Sequence, residues 1–375
     1  MPHKISILSI VPYRILPATS GGHLGIVDMH HHIGKLCNDN MAGTADNDDE
    51  SKYSFTIHRI FPPKASRYLP LAKLKELKQL AKQTNAQYIY CDHPYMAPTA
   101  ISLSKSLHIP WFMRSHNIES DRFRTMGKLW WRIMHWYEQY AMRKADGVFL
   151  ITPEDKEWAL SNYKLNERKC HIIPYGTNLS APPTNKASAR KEFAQETGTD
   201  ASIPWLYFLG ALNYQPNVEA VNYILEEIVP RLNAKGFAYK IFIAGKGLSD
   251  ELQQKIATLP QVQYMGFIPV LDTFLNACDI MLNPVMTGGG IKTKAVEALG
   301  YNKVVVSSTA GAAGLMPEVC GNNLLVTPDY DWDAFTDKII QAASIQPVIP
   351  QSFYDTYNWD KIAAKVLTIM QATKV

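Results

Sequence analysis

"NPVMTGGGIKTKAVEAL", residues 283–299, decides how this chain is read. It follows a short apolar run, "DIMLNPV" (279–285), that has the character of a buried strand. Gly288, Gly289 and Gly290 then make a loop, and Ile291, Ala295, Ala298 and Leu299 recur at helical spacing. Lys292 and Lys294 therefore fall in the first helical turn, at the positive end of the helix dipole, where acidic side chains are normally favoured. A bound diphosphate would reverse the sign of that local field. Glycines admit an anion close to the backbone, and the unpaired N–H groups of a helix start point towards it. Glu297 lies on roughly the same face as Lys294 and is placed to accept hydrogen bonds from a ribose. The competing reading is a glycine turn with solvent-facing lysines and a Lys294–Glu297 surface pair.

The same strand–loop–helix unit repeats outward from this stretch. Apolar runs rich in β-branched and aromatic residues predict strands at 5–11, 54–61, 87–92, 111–116, 147–152 and 170–176, separated by helical stretches such as 69–83. "TNLSAPPTNKASA" (177–189) interrupts the alternation and reads as a linker. A second series follows at 205–211, 239–247, 262–266, 279–285, 303–308 and 323–327. The fold class is therefore α/β, with two Rossmann-like domains in tandem. The polar, acidic stretch 38–52 is expected to be a solvated loop.

Composition narrows the function. The chain has 375 residues, too many for one ordinary core. A formal charge of +4 permits an acidic ligand but carries no nucleic-acid signature. Five cysteines without CxxC spacing favour a reducing compartment and argue against structural zinc. The apolar start is broken by Pro12 and Arg14, and no run reaches the ~18 residues of a spanning helix. The expected location is cytoplasmic.

Ligands of open α/β sheets bind beyond the carboxyl ends of strands, so the loops there supply the other candidates. Gly21 and Gly22 follow the first strand and either admit a phosphate or acceptor or simply make a tight turn. "FMRSHNIESDR" (112–122) ends a strand with Arg114, His116, Asn117 and Glu119 in succession. His116 is the favoured site residue there; the alternative is a helix capped by Asn117 with His116 merely packed. His30, His31 and His32 are successive on a helix and point about 100° apart, so they do not converge on a metal ion. "DND" (46–48) lies in the acidic stretch and "DYDWD" (329–333) directly precedes a helical stretch, where Asp caps are routine, so no metal site is expected at either. The stretch 127–146 carries Trp130, Trp131, Trp136, Tyr137 and Tyr140 among basic residues. It reads first as an amphipathic helix packed on its own sheet, and second as an interfacial helix giving peripheral membrane contact through 127–144.

Taken together, these motifs resemble the family-4 retaining glycosyltransferases. Residues 283–315 look like that family's donor-binding segment, "GGHLGIVDM" (21–29) its first glycine loop, and "RSHNIE" (114–119) its N-domain histidine segment. "IIPYGTN" (172–178) resembles the strand leading into the linker, 208–232 the start of the second domain, and 357–370 the final helix. The resemblance implies a GT-B fold, two Rossmann-like domains facing each other across a cleft. Residues 1–178, with a terminal helix 357–375 crossing back, would bind the acceptor, and 179–356 the nucleotide-sugar. It implies donor contacts from Gly288, Gly289, Gly290, Ile291, Lys292 and Glu297, and catalytic roles for His116 and Lys294. It also implies a glycan or lipid-linked acceptor, no cofactor and no metal. Two departures stand out. Gly289 occupies the place of the first of the family's paired glutamates, of which Glu297 matches the second. "GALNYQPN" (210–217) lacks the Arg and Lys that commonly grip the diphosphate, a charge that Lys292 and Lys294, or more weakly Lys246, would replace. An epimerase or phosphorylase of the same fold, and a catalytically silent nucleotide-sugar-binding subunit, are the alternatives.

Overall fold

The computed structural model describes residues 4–18, 21–69, 71, 73–288 and 290–373. The chain divides into two compact units, Met1–Asn178 with Trp359–Val375, and Leu179–Asn358. In the first, β1 (Ser6–Ile10), β2 (Asn38–Thr44), β3 (Thr56–Phe61), β4 (Tyr88–Asp92), β5 (Trp111–Ser115), β6 (Gly147–Leu150) and β7 (Cys170–Ile172) form one parallel sheet. Its order is β3-β2-β1-β4-β5-β6-β7. In the second, β8 (Trp205–Leu209), β9 (Lys240–Ala244), β10 (Val262–Gly266), β11 (Ile280–Asn283), β12 (Val304–Ser308) and β13 (Leu324–Thr327) form another. Its order is β10-β9-β8-β11-β12-β13.

Both sheets are covered on both faces, because successive strand residues point to opposite sides. Leu206 and Phe208 enter one core of the second unit, Trp205 and Tyr207 the other. Leu8 and Ile10 likewise face away from Ile7. The last helix, Trp359–Ala372, packs Trp359, Ile362, Val366 and Met370 against Ile7, Tyr90, Phe112 and Phe149 of the first unit. Each such fully buried apolar side chain contributes roughly 1.5–3 kcal/mol. The break before it falls at Asn358, so Tyr357 ends the separate helix Gln351–Tyr357.

Three expectations need correction. Residues 38–44 are not a solvated loop but β2, and Asn47 beyond it is buried, accepting from the backbone N–H groups of Ile15 and Leu16 at 2.8 and 2.9 Å. The polar residues of β2 are satisfied by tertiary partners, so the strand shows no apolar period. The linker is shorter than 177–189, because a helix starts at Lys186 and buries Ala189. Finally, the helix Trp131–Lys144 buries only Met134, Glu138, Ala141 and Met142. Ile133 and Trp136 are 72% and 71% exposed, and Leu129 just before the helix is 93% exposed. The aromatic stretch is therefore packed along one stripe only.

Candidate functional site

Each sheet reverses its strand order once, between β1 and β4 in the first unit and between β8 and β11 in the second. Such a switch point splays the following loops apart and leaves a crevice at the strands' carboxyl ends. The quoted stretch follows β11, and Gly21 and Gly22 come after β1.

In the second unit, the helix after the glycine loop runs Thr293–Gly300, with Lys292 at its N-cap and no side-chain cap. Gly289 lies outside the described residues. Gly288 has φ +90, and a Cβ there would stand 3.3 Å from the Tyr214 hydroxyl of the β8 loop. Gly245, after β9, has φ +138, and a Cβ there would fall 1.7 Å from the carbonyl oxygen of Gly210. Three loops thus come together, Gly245 meeting the backbone of the β8 loop and Gly288 the side chains of Tyr214 and Pro216. Thr287 donates to Glu219 of the helix Gln215–Tyr223 at 3.0 Å, which ties the glycine loop to the β8 side of the crevice.

The two lysines behave differently. Lys292 curls back, its Nζ donating to the carbonyls of Gly288 at 2.6 Å and Gly290 at 3.1 Å. Burial lowers its pKa to about 8. Lys294 does not pair with Glu297 on a surface. Its Nζ donates to Asn217 Oδ1 at 2.9 Å and sits 4.1 Å from the centroid of the Phe208 ring. Burial, with Lys292 adding repulsion, lowers its pKa to about 7. No carboxylate forms an ion pair with either ammonium among the described residues. Ile291 packs against the core beside this helix, and Glu297 is half-buried, its charge adding to the burial that holds the Tyr207 phenol up. Lys246 lies over the Phe267 ring at 4.1 Å.

In the first unit, Gly21 and Gly22 form the first turn of the helix Gly21–Leu36. That helix carries His30, buried, whose Nδ1 meets Asp39 Oδ2 at 2.7 Å and whose Nε2 meets Asp92 Oδ2 at 2.8 Å. The other oxygen of Asp92 meets His116 Nε2 at 2.7 Å. His116 stacks on His93 with ring centroids 4.3 Å apart, and His93 in turn stacks on Tyr95. His93 has φ +64, a left-handed conformation that costs a non-glycine residue about 1–3 kcal/mol and clusters at functional sites. Around it, the Tyr13 hydroxyl, His93 Nδ1 and one oxygen of Glu119 find no hydrogen-bond partner among the described residues. The three histidines at 30–32 indeed diverge: His31 accepts from the Ser54 N–H, and His32 bonds Asp360 and Asn178.

The local structure around His116 also differs from a simple Asn cap. The next helix begins at Glu119, and its first N–H groups, those of Glu119 and Ser120, donate to the carboxylate of Glu138 at 3.0 Å each. Arg114 is buried beneath, donating to the Gly25 carbonyl at 3.3 Å and lying 5.8 Å from the Trp359 ring centroid. Asn117 is therefore not the cap, and His116 is not packed by default. It is held by a carboxylate.

The residues missed by sequence reasoning are Asp92, His93, His30 as a partner, Asn217 and Phe208. "CDHP" (91–94) at the end of a strand was the available signal, an Asp-His pair at a sheet's carboxyl edge. Nothing local marks Asn217 or Phe208.

With the geometry in hand, comparisons with known proteins agree. Residues 203–344 match the model of the family described as glycosyl transferases group 1, and residues 39–181 match glycosyltransferase family 4. An uncharacterized glycosyltransferase of Methanocaldococcus jannaschii is 23% identical over 295 residues, covering 75% of this chain and 74% of that protein. A glycosyltransferase from Rickettsia africae superimposes with a TM-score of 0.76 over 98% of both chains at 15% identity. Anabaena HepE, solved in complex with UDP-glucose, superimposes with a TM-score of 0.64 at 17% identity over 98% of this chain and 97% of that one. These last two share the fold. One family match falls almost wholly in each unit, so the resemblance is not confined to the quoted stretch, and this chain belongs to the group 1, family 4 type of glycosyltransferases with the GT-B fold.

Proposed function

We propose that the chain transfers a hexosyl group from a nucleotide-diphosphate-sugar to an acceptor hydroxyl with retention at the anomeric carbon, in glycan or glycolipid assembly. The observation that carries the donor half is Lys294, a half-buried amine with no ion-pair partner among the described residues, beside a glycine loop and a helix start at a switch point. HepE, of the same fold, is a UDP-glucose complex, which supports a nucleotide-sugar as the class. Retention rests on the family resemblance.

In the proposed step the bond from the anomeric carbon to the diphosphate oxygen breaks and a bond to the acceptor oxygen forms on the same face. The acceptor's proton passes to the departing diphosphate. Negative charge grows on that diphosphate, and Lys294, Lys292 and the N–H groups of Gly290 and Ile291 stabilise it more in the transition state than before. Glu297 takes the ribose, and Gly288 and Gly289 leave room for the phosphates. Since the lysines supply the charge, no divalent ion or further cofactor is needed. Gly21, Gly22 and His116 serve the acceptor side in the first unit.

The exposed stripe Leu129, Ile133, Trp136 and Tyr140, flanked by Arg124, Lys128 and Arg132, supports peripheral contact with an anionic inner leaflet. No described helix is long and apolar enough to cross a membrane. The test of the main reading is a thermal-shift screen over nucleotides and nucleotide-sugars. A true donor at 100 times its Kd raises stability by about 2.7 kcal/mol. Absence of any shift, or a shift with nucleoside monophosphates equal to that with diphosphate-sugars, refutes it.

A further inference from the structure

A buried chain of hydrogen bonds runs behind His116. Ser9 donates to Asp39 Oδ1 at 2.5 Å, and Asp39 Oδ2, His30, Asp92 and His116 Nε2 follow at 2.7, 2.8 and 2.7 Å. It crosses from β1 and β2 through the helix Gly21–Leu36 to the ends of β4 and β5. Both nitrogens of His30 face carboxylates. A carboxylate only accepts, so both nitrogens carry protons and His30 is an imidazolium. Asp92 then has one oxygen on a cation and the other on His116 Nε2, which must be the protonated nitrogen of that ring. Nδ1 of His116 makes no hydrogen bond within the described residues, and the ring, 10% exposed, is clamped against His93.

The geometry points to Asp92 and His30 as positioning residues that fix His116 in the Nε2–H form, with Nδ1 presented as a hydrogen-bond acceptor to a sugar hydroxyl. This rests on the reading of His116 as part of the transfer site. The arrangement solves an electrostatic problem. Asp92 alone would favour a protonated His116, which cannot accept. His30 offsets part of that carboxylate's field, and burial together with Arg114 keeps His116 below its ordinary pKa. The groups facing this chain are the Cys91 thiol and the Tyr90 and Tyr13 phenols around Asp92, Asp39 and the Tyr90 edge around His30, and Arg114, Glu119 and His93 around His116. Burial holds each of the three phenol and thiol groups up and neutral, and His93 is kept neutral by burial.

The experiment is ring-nitrogen NMR of histidine-labelled full chain, with the His30 and His116 signals assigned through His30→Gln and His116→Gln, joined to kinetics. Expected at pH 7–8 are a doubly protonated His30 and an Nε2–H, neutral His116. Asp92→Asn should lower kcat about tenfold, the scale of one misplaced hydrogen bond, with KM for the donor within twofold. His30→Gln deprives Asp92 of its cation, so the acid limb of the pH profile of kcat/KM should move to higher pH. A neutral His30, an Nδ1–H tautomer of His116, or an Asp92→Asn variant with parental kcat overturns the proposal. The spectrum decides even where a variant fails to fold. Unchanged turnover in His116→Ala would instead sink the underlying reading of the site, whatever the tautomers.

Discussion

Lys294 offers the sharpest test, because its burial in the unliganded protein is unfavourable. Its pKa falls from an ordinary 10.5 to about 7. At 1.36 kcal/mol per pH unit, holding it in the fold costs roughly 4 kcal/mol at pH 7. The Phe208 ring face returns about 0.5–2 kcal/mol and the Asn217 hydrogen bond about 1 kcal/mol. Lys294→Met keeps the stem's packing and removes the charge, so the unliganded variant should be about 1–2 kcal/mol more stable than the parent. For a unit of this size that is a Tm rise of about 2–8 °C. Between pH 7 and 10.5 the unfolded chain binds more protons at this position than the folded one. The parent's stability from this group therefore rises with pH, and the gap to the variant should close as pH increases. Differential scanning calorimetry of both proteins from pH 7 to 9.5 measures it. A nucleoside diphosphate should reverse the order, since the anion restores the ammonium; calorimetric titration in two buffers should then show proton uptake in the parent and none at this site in the variant. Turnover should drop about 10²–10³-fold. A variant less stable than the parent at pH 7, or a gap that does not change with pH, would refute the reasoning and make Lys294 a structural residue.

Glu297→Gln should weaken nucleotide binding about tenfold while leaving kcat at saturation within a few-fold, read by titration and steady-state kinetics. If the two lysines neutralise the diphosphate as proposed, activity should survive excess chelator; abolition by chelator and rescue by a divalent ion would reject this. Gly288→Ala, at φ +90, should cost about 1 kcal/mol in denaturant unfolding and reduce donor affinity. Ile133→Glu with Trp136→Glu should abolish sedimentation with anionic vesicles without altering turnover on a soluble acceptor.

Much of the framework was legible because it is local. A parallel strand covered on both faces must be a continuous apolar run, so "WLYFLGA", "YKIFIAGKG" and "DIMLNPV" announced β8, β9 and β11 with boundaries off by a residue or a few. The glycine loop and the helix after it declared themselves by residue type, and so did the paradox of two cations at a helix start. What stayed hidden depended on partners distant in sequence. β2 looked like solvent because Asp39 is polar, yet its charge is met by His30, nine residues away, and Ser9, thirty away. Asp92 acquires its place only when β4 lies between β1 and β5, bringing His30 and His116 to its two oxygens from 62 and 24 residues away. The helix Trp131–Lys144 carries apolar residues on more than one side, and periodicity does not say which stripe meets the sheet; packing left Ile133 and Trp136 outside. Residue type and spacing thus determined the two-sheet framework, β2 apart, and the glycine loop before its helix. Only the tertiary structure decided which charges are buried, with which partners, and so which of them are poised to act, because electrostatic environment is set by neighbours in space.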